Sequence, residues 1–238
     1  MITVCIATYN GEKYLQEQLH SILIQLKEED EIVISDDSST DKTIQIINDF
    51  DDKRIKLLQN NNFKSPIYNI ENALKKATGD IIFISDQDDV WLSNKIEITL
   101  QYITTRNIVM SDAMLCDANL TIKSESLDIW RKYKPGFLTN LYKSRYLGCC
   151  MAFHKNKLTE ILPFPKKIQA HDIWIGLLGE LSNEFTYIPV SLIKYRRHEN
   201  NFSSASNKSD KSLLYKIIYR CHFFFIIIRR YFIIRNRK

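Results

Sequence analysis

The chain has 238 residues, enough to bury a full hydrophobic core, and with 45% hydrophobic and 26% charged residues its composition is globular, not disordered. The formal net charge is +5, but nine of the 33 basic residues and only one of the 28 acidic residues lie after residue 207. The rest of the chain therefore carries a net charge of −3. Because the basic residues are gathered in the tail, this distribution argues against a nucleic-acid-binding body.

Five cysteines are present, and none of them forms a CxxC pair. Their odd number and irregular spacing predict neither a zinc site nor a disulfide framework, and reduced thiols are typical of a cytosolic protein. Residues 1–6 carry no basic segment and have the β-branched, apolar composition of a strand, so we expect no secretory signal there.

The first half of the chain alternates predicted strands with predicted helices. Apolar, β-branched runs predict strands at 2–8, 31–35, 54–58 and 80–85, and helical spacing of apolar residues predicts helices at 12–26, 43–50 and 67–77. This alternation is typical of an α/β fold with a mostly parallel, Rossmann-like central sheet flanked by helices. Right-handed crossovers would bring the carboxyl ends of the strands to one edge, where ligands bind in open α/β sheets.

Three of these strand ends carry polar clusters: Thr8-Tyr9-Asn10, Asp36 to Asp41, and Asp86 to Asp89. In the second cluster, Ser39 or Thr40 is predicted to cap the following helix. The third cluster places three carboxylates within four residues, and each close pair repels by about 4 kcal/mol at an effective dielectric of about 20. A hard divalent cation such as Mg²⁺ or Mn²⁺ would offset this repulsion.

The acidic cluster also has two interpretations that involve no catalytic metal. A solvated acidic turn that caps the next helix remains open from these residues alone. An EF-hand is rejected, because Val90 and Trp91 stand where that loop requires an oxygen ligand and a glycine.

The second half of the chain gives weaker patterns. Helices are predicted at 94–103 and 173–181, and strands at 108–114, 148–153 and 185–194, with Asp112 expected near the site. Residues 117–145 lack clear periodicity, so they form either an acceptor-facing excursion or an ordinary surface loop. His171 and Asp172 precede the 173–181 helix, where Asp172 would be either a simple N-cap or an ionised functional carboxylate.

The three strand-end motifs, with Ser85-Asp86-Gln87-Asp88-Asp89-Val90-Trp91 as the third, resemble the donor-site motifs of family 2 glycosyltransferases, which have the GT-A fold. The similarity covers about residues 1–200, and the third motif is most similar to that of bacterial rhamnosyltransferase-type enzymes that build O-antigens and capsules. The resemblance implies an enzyme that uses a UDP- or dTDP-sugar and requires Mg²⁺ or Mn²⁺.

The resemblance also implies roles for single residues. Thr8, Tyr9 and Asn10 would bind the donor nucleotide, Asp37 would accept a hydrogen bond from the base, and Asp86 would contact the ribose. The other implied roles concern metal, diphosphate and acceptor: Asp88 and His198 as metal ligands, Arg196 and Arg197 as diphosphate-binding residues, and Trp174 as an acceptor-binding residue.

Asp172 is the implied general base, although the family usually has Glu where this chain has His171. The inferred reaction is a single displacement, in which Asp172 takes a proton from the acceptor hydroxyl and the anomeric configuration inverts. The nearest enzymatic alternative, a sugar nucleotidyltransferase, would need a glycine-rich phosphate loop beside the first strand, where this chain has only Gly11. A catalytically silent nucleotide-binding or scaffold subunit is the alternative from another functional class.

The predicted organisation is a glycosyltransferase domain at 1–205, with a nucleotide-sugar-binding half (about 1–112) and an acceptor-binding half (about 113–205), followed by a tail at 206–238. Residues 203–212 are predicted to form a linker. The tail alternates apolar blocks with bases, and its longest uncharged run is far shorter than the about 20 residues that span a bilayer. A basic amphipathic helix on an anionic membrane surface is therefore expected, with a helix packed on protein as the alternative. With a polyprenyl-linked or glycan acceptor, this predicts a peripheral protein on the cytoplasmic face of a bacterial plasma membrane.

Overall fold

The structure is a computed structural model that describes residues 1–103, 108–166, 168–199 and 213–236. Its strands are β1 (Ile2–Thr8), β2 (Glu31–Asp36), β3 (Ile55–Leu58), β4 (Ile81–Ser85), β5 (Val90–Trp91), β6 (Ile108–Cys116), β7 (Ile122–Ser124), β8 (Met151–His154) and β9 (Phe185–Arg196). Its helices are α1 (Leu15–Leu23), α2 (Thr43–Asp49), α3 (Pro66–Lys76), α4 (Lys95–Ile103), α5 (Asp128–Arg131), α6 (Phe137–Tyr142), α7 (Leu158–Ile161), α8 (His171–Leu181) and α9 (Leu213–Arg235). Short 3-10 turns lie at Gly148–Cys150 and Lys155–Lys157.

All these strands join one mixed sheet in the order β3-β2-β1-β4-β8-β6-β9-β5, with β7 paired to β6. The predicted GT-A-type α/β sheet is confirmed, and its parallel part comprises β3, β2, β1 and β4. β8 then enters antiparallel between β4 and β6, and β6 pairs with β9 in parallel. The sheet is therefore parallel where the predicted nucleotide half lies and mixed beyond it.

The parallel part of the sheet positions the strand ends. The middle of β2 (Ile32–Ile34) and of β4 (Ile82–Ile84) is fully buried and apolar, as expected for strands covered on both faces. The register pairs Thr8 with Asp36 and Ile6 with Ser85. The polar residues that follow β1, β2 and β4 are therefore at one edge, as the alternation pattern predicts.

α1 starts later than predicted, whereas α2 starts at Thr43 as predicted but with a different capping residue. Residues 11–14 form a turn before α1, because the backbone N–H groups of Tyr14 and Leu15 both donate to the Gly11 carbonyl at 3.1 Å. Neither Ser39 nor Thr40 caps α2. The Asp41 carboxylate instead accepts from the Thr43 N–H at 3.0 Å, so an acidic side chain satisfies this helix start.

The C-terminal helix packs on the rest of the protein. Phe223 and Ile227 of α9 are buried, and Phe223 meets the fully buried Trp174 of α8 edge-on, with 6.2 Å between ring centroids. Arg230 donates to the carbonyls of Leu162 and Pro163 at 2.8 and 2.7 Å. One face of α9 therefore belongs to the core, and the predicted linker at 203–212 lies outside the described residues. Among the described helices, none is both long and apolar enough to cross a membrane.

All five cysteines lie in the described ranges and are unpaired, which confirms the prediction of free thiols.

Candidate active site

A cavity of about 860 Å³ opens at the carboxyl edge of β1, β2 and β4. Its wall also includes residues from the segment before α3, from α5, and from the start of α8. It is lined by Ala7, Thr8, Tyr9, Asp37, Ser38, Asn62, Lys64, Ser65, Pro66, Ile67, Asn69, Ile70, Asp86, Gln87, Asp88, Arg131, Leu147, Gly148, Gln169, Ala170, His171, Asp172 and Tyr195. The structure thus brings residues from both halves of the chain to one space.

The nucleotide end of the cavity is built from the ends of β1 and β2. The buried Thr8 hydroxyl donates to Asp36 at 2.7 Å, and the Thr8 carbonyl accepts from the Asp37 N–H at 3.0 Å. The Asp37 carboxylate accepts from the backbone N–H of Phe63 at 2.5 Å and of Ser65 at 3.2 Å. Asp37 therefore orders the loop that forms the opposite wall, and each of its oxygens still has a lone pair for a ligand.

Tyr9 and Asn10 are placed differently from each other. Tyr9 lines the cavity with 56% of its surface exposed, and the Gln87 amide brackets its backbone, accepting from Tyr9 N at 2.9 Å and donating to Tyr9 O at 3.1 Å. Asn10 does not line the cavity. Its side-chain oxygen accepts from the Thr40 N–H at 2.8 Å, so it ties two strand-end loops together. The predicted contact of Asn10 with the nucleotide stays a prediction.

The acidic end of β4 lies in the cavity wall beside the start of α8. Burial, and then the nearby carboxylates of Asp88 and Asp172, raise the pKa of Asp86 to about 7. The three acids therefore lie close enough to destabilise one another's charge. Such a group calls for a cation or for hydrogen-bond donors from a ligand.

Asp88 and His198 offer one oxygen and one nitrogen to such a cation. The Asp88 Oδ2 and His198 Nε2 atoms are 2.8 Å apart, and the two side chains are only 14% and 12% exposed. The Tyr14 ring lies against His198, with 4.7 Å between centroids, and fixes its position. Carboxylate and imidazole ligands fit Mn²⁺, and Mg²⁺ binds carboxylates and phosphates, so these residues fit the expected metal.

A second group lies deeper, where oxygen or sulfur atoms of Asp86, Asp89 and Cys149 come within 4.8 Å of one another. Asp89 is fully buried, and one of its oxygens accepts from the Arg196 N–H at 3.0 Å. Its other oxygen has no partner among the described residues. Burial, followed by a hydrogen bond with Cys150 and the charge of Asp89, raises the pKa of the Cys149 thiol. Asp86 therefore borders two groups of potential metal ligands, Asp88 with His198 and Asp89 with Cys149.

Arg196 is held by contacts within the protein. Its side chain is 3% exposed and absent from the cavity wall, and it pairs with Glu17 at 2.5 Å. It also donates to the carbonyls of Asp88 and Ala118, both at 2.7 Å, and stacks over the Tyr14 ring. Arg196 therefore holds the Asp88 segment in place, and its predicted contact with a diphosphate stays a prediction. Arg197 is half-buried and lies outside the cavity wall, so its predicted role stays a prediction.

Asp172 lies in the first turn of α8 and faces the cavity. Ala170, not Asp172, occupies the N-cap position, and the Asp172 carboxylate accepts from the Ile173 N–H at 2.7 Å. The Asp172 carboxylate therefore lies at the positive end of the helix. His171 packs against Gly148 so closely that a side chain at position 148 would collide with its imidazole, and burial lowers the pKa of His171.

Trp174 and Asp112 both lie behind the cavity wall. Trp174 is fully buried, and its indole N–H donates to the Ile161 carbonyl at 2.9 Å, so it belongs to the core, and its predicted contact with an acceptor stays a prediction. Asp112, predicted near the site, is buried outside the 860 Å³ cavity, where it accepts from the Asp128 N–H at 3.1 Å and from Ser126.

The sequence patterns assign no role to several polar residues of the cavity wall, among them Lys64, Gln87, Arg131 and Gln169. Gln87 stands inside the acidic motif, but it carries no charge and the repulsion argument does not include it. The other three lie in segments without strand or helix periodicity. No sequence pattern identified them, since only the tertiary fold brings those segments to the cavity.

Comparison with known proteins gives a consistent result. Residues 3–162 match the model of the family described as glycosyl transferase family 2. A glucosyltransferase of Escherichia coli, WfgD, whose name gives UDP-glucose as donor and GlcNAc-diphosphoundecaprenol as acceptor, is 27% identical over 89% of this chain and 83% of its own. The dTDP-rhamnosyl transferase RfbG of Shigella flexneri is 30% identical over 82% of this chain and 72% of its own.

Solved structures agree on the fold. The UDP complex of TarS residues 1–349 from S. aureus superposes with a TM-score of 0.66 at 21% identity, and the match covers 82% of this chain and 60% of that one. A mannosyltransferase of Pyrobaculum calidifontis, in complex with GDP-mannose and Mn²⁺, superposes with a TM-score of 0.59 at 20% identity, over 80% of this chain and 54% of that one. At such identities these likenesses show the shared fold alone.

Proposed function

The chain belongs to glycosyltransferase family 2, and from that membership we propose that it moves a sugar from a UDP- or dTDP-sugar onto a lipid-linked acceptor of bacterial surface polysaccharide synthesis. The two donors are those in the names of WfgD and RfbG, and the acceptor class follows the name of WfgD. Transfer would invert the anomeric configuration.

One observation carries the proposal: Asp37, Asp88 and Asp172 share the wall of a single cavity. One displacement at a nucleoside diphosphate sugar requires three groups: a carboxylate that binds the nucleobase, a carboxylate that binds the metal, and a general base that takes the proton of the acceptor. A volume of about 860 Å³ is within the usual range for ligand sites.

The displacement assigns one task to each end of the cavity. Asp172 would accept the proton of the acceptor hydroxyl while that oxygen forms a bond to the anomeric carbon. The bond from that carbon to the diphosphate oxygen breaks, and its electron pair leaves with the nucleoside diphosphate. Asp37 and Thr8 would hold the nucleotide end, so that the anomeric carbon faces Asp172.

Asp88 and His198 would hold the divalent metal. When bound, the ion would neutralise the charge that builds on the departing diphosphate, as a Lewis acid. Asp86 lies beside these ligands and would gain from the same positive charge, since Asp88 and Asp172 disfavour its ionised form.

The nucleotide assignment is tested by thermal shift with UDP, dTDP, GDP and CDP, each with and without Mn²⁺. A ligand at 100 times its dissociation constant stabilises by about 2.7 kcal/mol, which such a measurement resolves. Stabilisation by UDP or dTDP that requires Mn²⁺ and disappears in Asp88→Asn supports the site. Asp117→Asn is the matched control, because Asp117 pairs with Lys123 away from the cavity. No response to any of the four nucleotides would contradict the proposal.

We also propose that α9 attaches the enzyme peripherally to the cytoplasmic face of the membrane that carries the acceptor. Its exposed side bears Ile218, Phe225 and Phe232, which are 59%, 67% and 58% exposed, together with Arg229. The segment Leu213–Arg235 contains no acidic residue. Exposed aromatics beside bases match the requirements for binding an anionic lipid surface.

Deleting α9 would be a poor test, because Phe223 and Ile227 are part of the core. Changing Phe225 and Phe232 to Ser removes only the exposed rings. We expect this variant to lose flotation with vesicles containing anionic lipid while its melting temperature is kept, whereas Ile24→Ser, which removes a comparably exposed residue elsewhere, should float like the wild type. Unchanged flotation of the double variant would contradict the attachment.

A further inference from the structure

Two strongly basic side chains, Lys64 and Arg131, line the cavity, and they lie on different parts of its wall. Lys64 belongs to the loop that Asp37 orders, at the nucleotide end. Arg131 ends α5, in the second half of the chain. The wall also carries four carboxylates, those of Asp37, Asp86, Asp88 and Asp172.

Arg131 is held in place by backbone carbonyls rather than by an acid. Its Nη1 atom donates to the carbonyls of Tyr146 and Arg145, and the Arg145 side chain in turn donates to the Arg131 carbonyl at 3.0 Å. Across the described residues, Arg131 forms no salt bridge, and its Nε and Nη2 atoms have no hydrogen-bond partner. A half-buried guanidinium with a fixed orientation and unused donors fits an anionic ligand.

The contacts of Arg131 place it at the Asp172 end of the cavity. Tyr146, whose carbonyl it binds, is two residues before Gly148, and Gly148 lies directly against the imidazole of His171. His171 is followed by Asp172, the proposed base. Arg131 and Asp172 therefore border the region where the acceptor must place its hydroxyl, away from the Asp37 end.

We propose that Arg131 forms a phosphate subsite for the acceptor, binding the diphosphate through which an acceptor sugar is joined to its lipid. This rests on the proposed function and adds the group by which the acceptor is recognised. With its hydroxyl at Asp172, the acceptor sugar would present its anomeric diphosphate to the guanidinium. The donor's diphosphate, the other source of the same chemistry, belongs beside Asp88 and the metal.

The test compares two acceptors that differ only in the phosphate: a sugar joined to a short prenyl chain through diphosphate, and the same sugar joined to the same prenyl chain by a simple glycosidic bond. For Arg131→Gln we expect the KM of the diphosphate acceptor to rise about 10- to 100-fold, which corresponds to loss of a charge-assisted hydrogen bond. The KM values of the glycoside and of the donor should stay within about twofold. The KM of the diphosphate acceptor should rise less in Arg131→Lys than in Arg131→Gln, because lysine keeps the positive charge but lacks the planar guanidinium with its paired donors.

Lys143→Gln is the matched control, since Lys143 is an exposed base of the same segment and does not line the cavity. It should leave all three KM values unchanged. An equal rise in KM for both acceptors would overturn the proposal, because it would indicate a structural role. A rise in the donor KM alone would also overturn it, since Arg131 would then bind the donor's diphosphate.

A binding experiment separates this inference from the proposed function. If the wild type turns over neither acceptor, the function as proposed fails, and the subsite is judged by calorimetric titration with a prenyl diphosphate that has no sugar. Binding that weakens at least 10-fold in Arg131→Gln, with an unchanged melting temperature, supports the subsite. Equal binding by both proteins, or none by the wild type, overturns it.

Discussion

The wall that we propose for the nucleotide and the wall that we propose for the acceptor, named the nucleotide wall and the acceptor wall, are built in different ways. The nucleotide wall consists of the ends of β1, β2 and β4, where sheet register fixes each side chain relative to the next. The acceptor wall consists of the end of α5, the turn at Gly148–Cys150 and the start of α8. Those pieces are joined by contacts such as Arg131 with Tyr146 and Gly148 with His171.

This difference corresponds to the different demands of the two substrates of a transferase, the donor and the acceptor. The donor always presents a diphosphate and a base, so a regular sheet edge can serve it. Acceptors differ in shape and linkage, and short irregular segments can change without disturbing the sheet. We therefore expect substitutions in the nucleotide wall to alter donor binding, and those in the acceptor wall to alter turnover and acceptor use.

The sharpest test of this division is Asp172→Asn. Loss of the general base should lower kcat by about 10²- to 10⁴-fold, while binding of the nucleotide in a thermal-shift assay stays unchanged because Asp172 is not in the nucleotide wall. The scaffold alternative would be supported instead if wild type and variant showed the same absence of turnover with every donor that binds.

Trp174 tests whether the part of α8 that directly follows Asp172 belongs to the acceptor site or to the core. Since its indole is fully buried against Phe223 and Ile161, Trp174→Ala should reduce the free energy of unfolding by about 3–5 kcal/mol in urea denaturation. Trp174→Phe keeps a ring but loses the hydrogen bond to Ile161 and part of the buried volume, so about 1–3 kcal/mol is expected. An acceptor KM that rises in Trp174→Phe without loss of stability would restore its predicted role in acceptor binding.

Arg196 provides the same contrast near the metal-binding segment. Arg196→Gln would leave the carbonyls of Asp88 and Ala118 without their donors, so a loss of about 2–4 kcal/mol in unfolding free energy is expected. Glu17→Gln, which removes only the half-exposed partner, should cost less than about 1 kcal/mol. Weaker donor binding in Arg196→Gln at unchanged stability would instead favour direct contact with the diphosphate.

The smallest effect is expected at the opposite edge of the sheet, where Glu31 begins β2. Burial alone would raise its pKa, but hydrogen bonds from Lys56, Thr3 and Thr78 outweigh it and lower the pKa to about 2. The ionised form is therefore favoured by folding, and this stability is fully present above about pH 4.5 and is lost as the pH falls towards 2, by roughly 1–3 kcal/mol. Urea midpoints between pH 5 and pH 2 should decline less steeply in Glu31→Gln, with turnover at neutral pH unchanged. If the urea midpoints of the wild type and of Glu31→Gln declined equally between pH 5 and pH 2, other carboxylates would dominate the pH dependence of stability.

The two walls were also unequally predictable from the sequence. The sheet edge could be predicted because apolar strands alternate with helices and leave Asp37, Asp86 and Asp88 at strand ends. Asp172 was identified by family resemblance, and its place beside those acids depends on the fold. Local patterns are enough to predict that these strand ends meet at one edge, because the crossovers between parallel strands are almost always right-handed.

The positions of Trp174, Arg196 and Arg131 could not be predicted for one physical reason. Contacts with residues that are distant in the sequence decide the role of each side chain. Trp174 is buried because Phe223, 49 residues later, covers it, and Arg196 is withdrawn from the cavity by Glu17, 179 residues earlier. Arg131 lies in a segment without periodicity, so nothing local indicated that it reaches the cavity. Patterns in one sequence indicate which face of a helix or strand is apolar. They do not indicate which other residue packs against that face.

The packing of α9 on α8 has a mechanical consequence. α8, whose first turn carries Asp172, and α9, which carries the exposed aromatic face, share a buried contact through Trp174 and Phe223. A shift of α9, such as docking at its exposed face would impose, would therefore reach the cavity wall through α8.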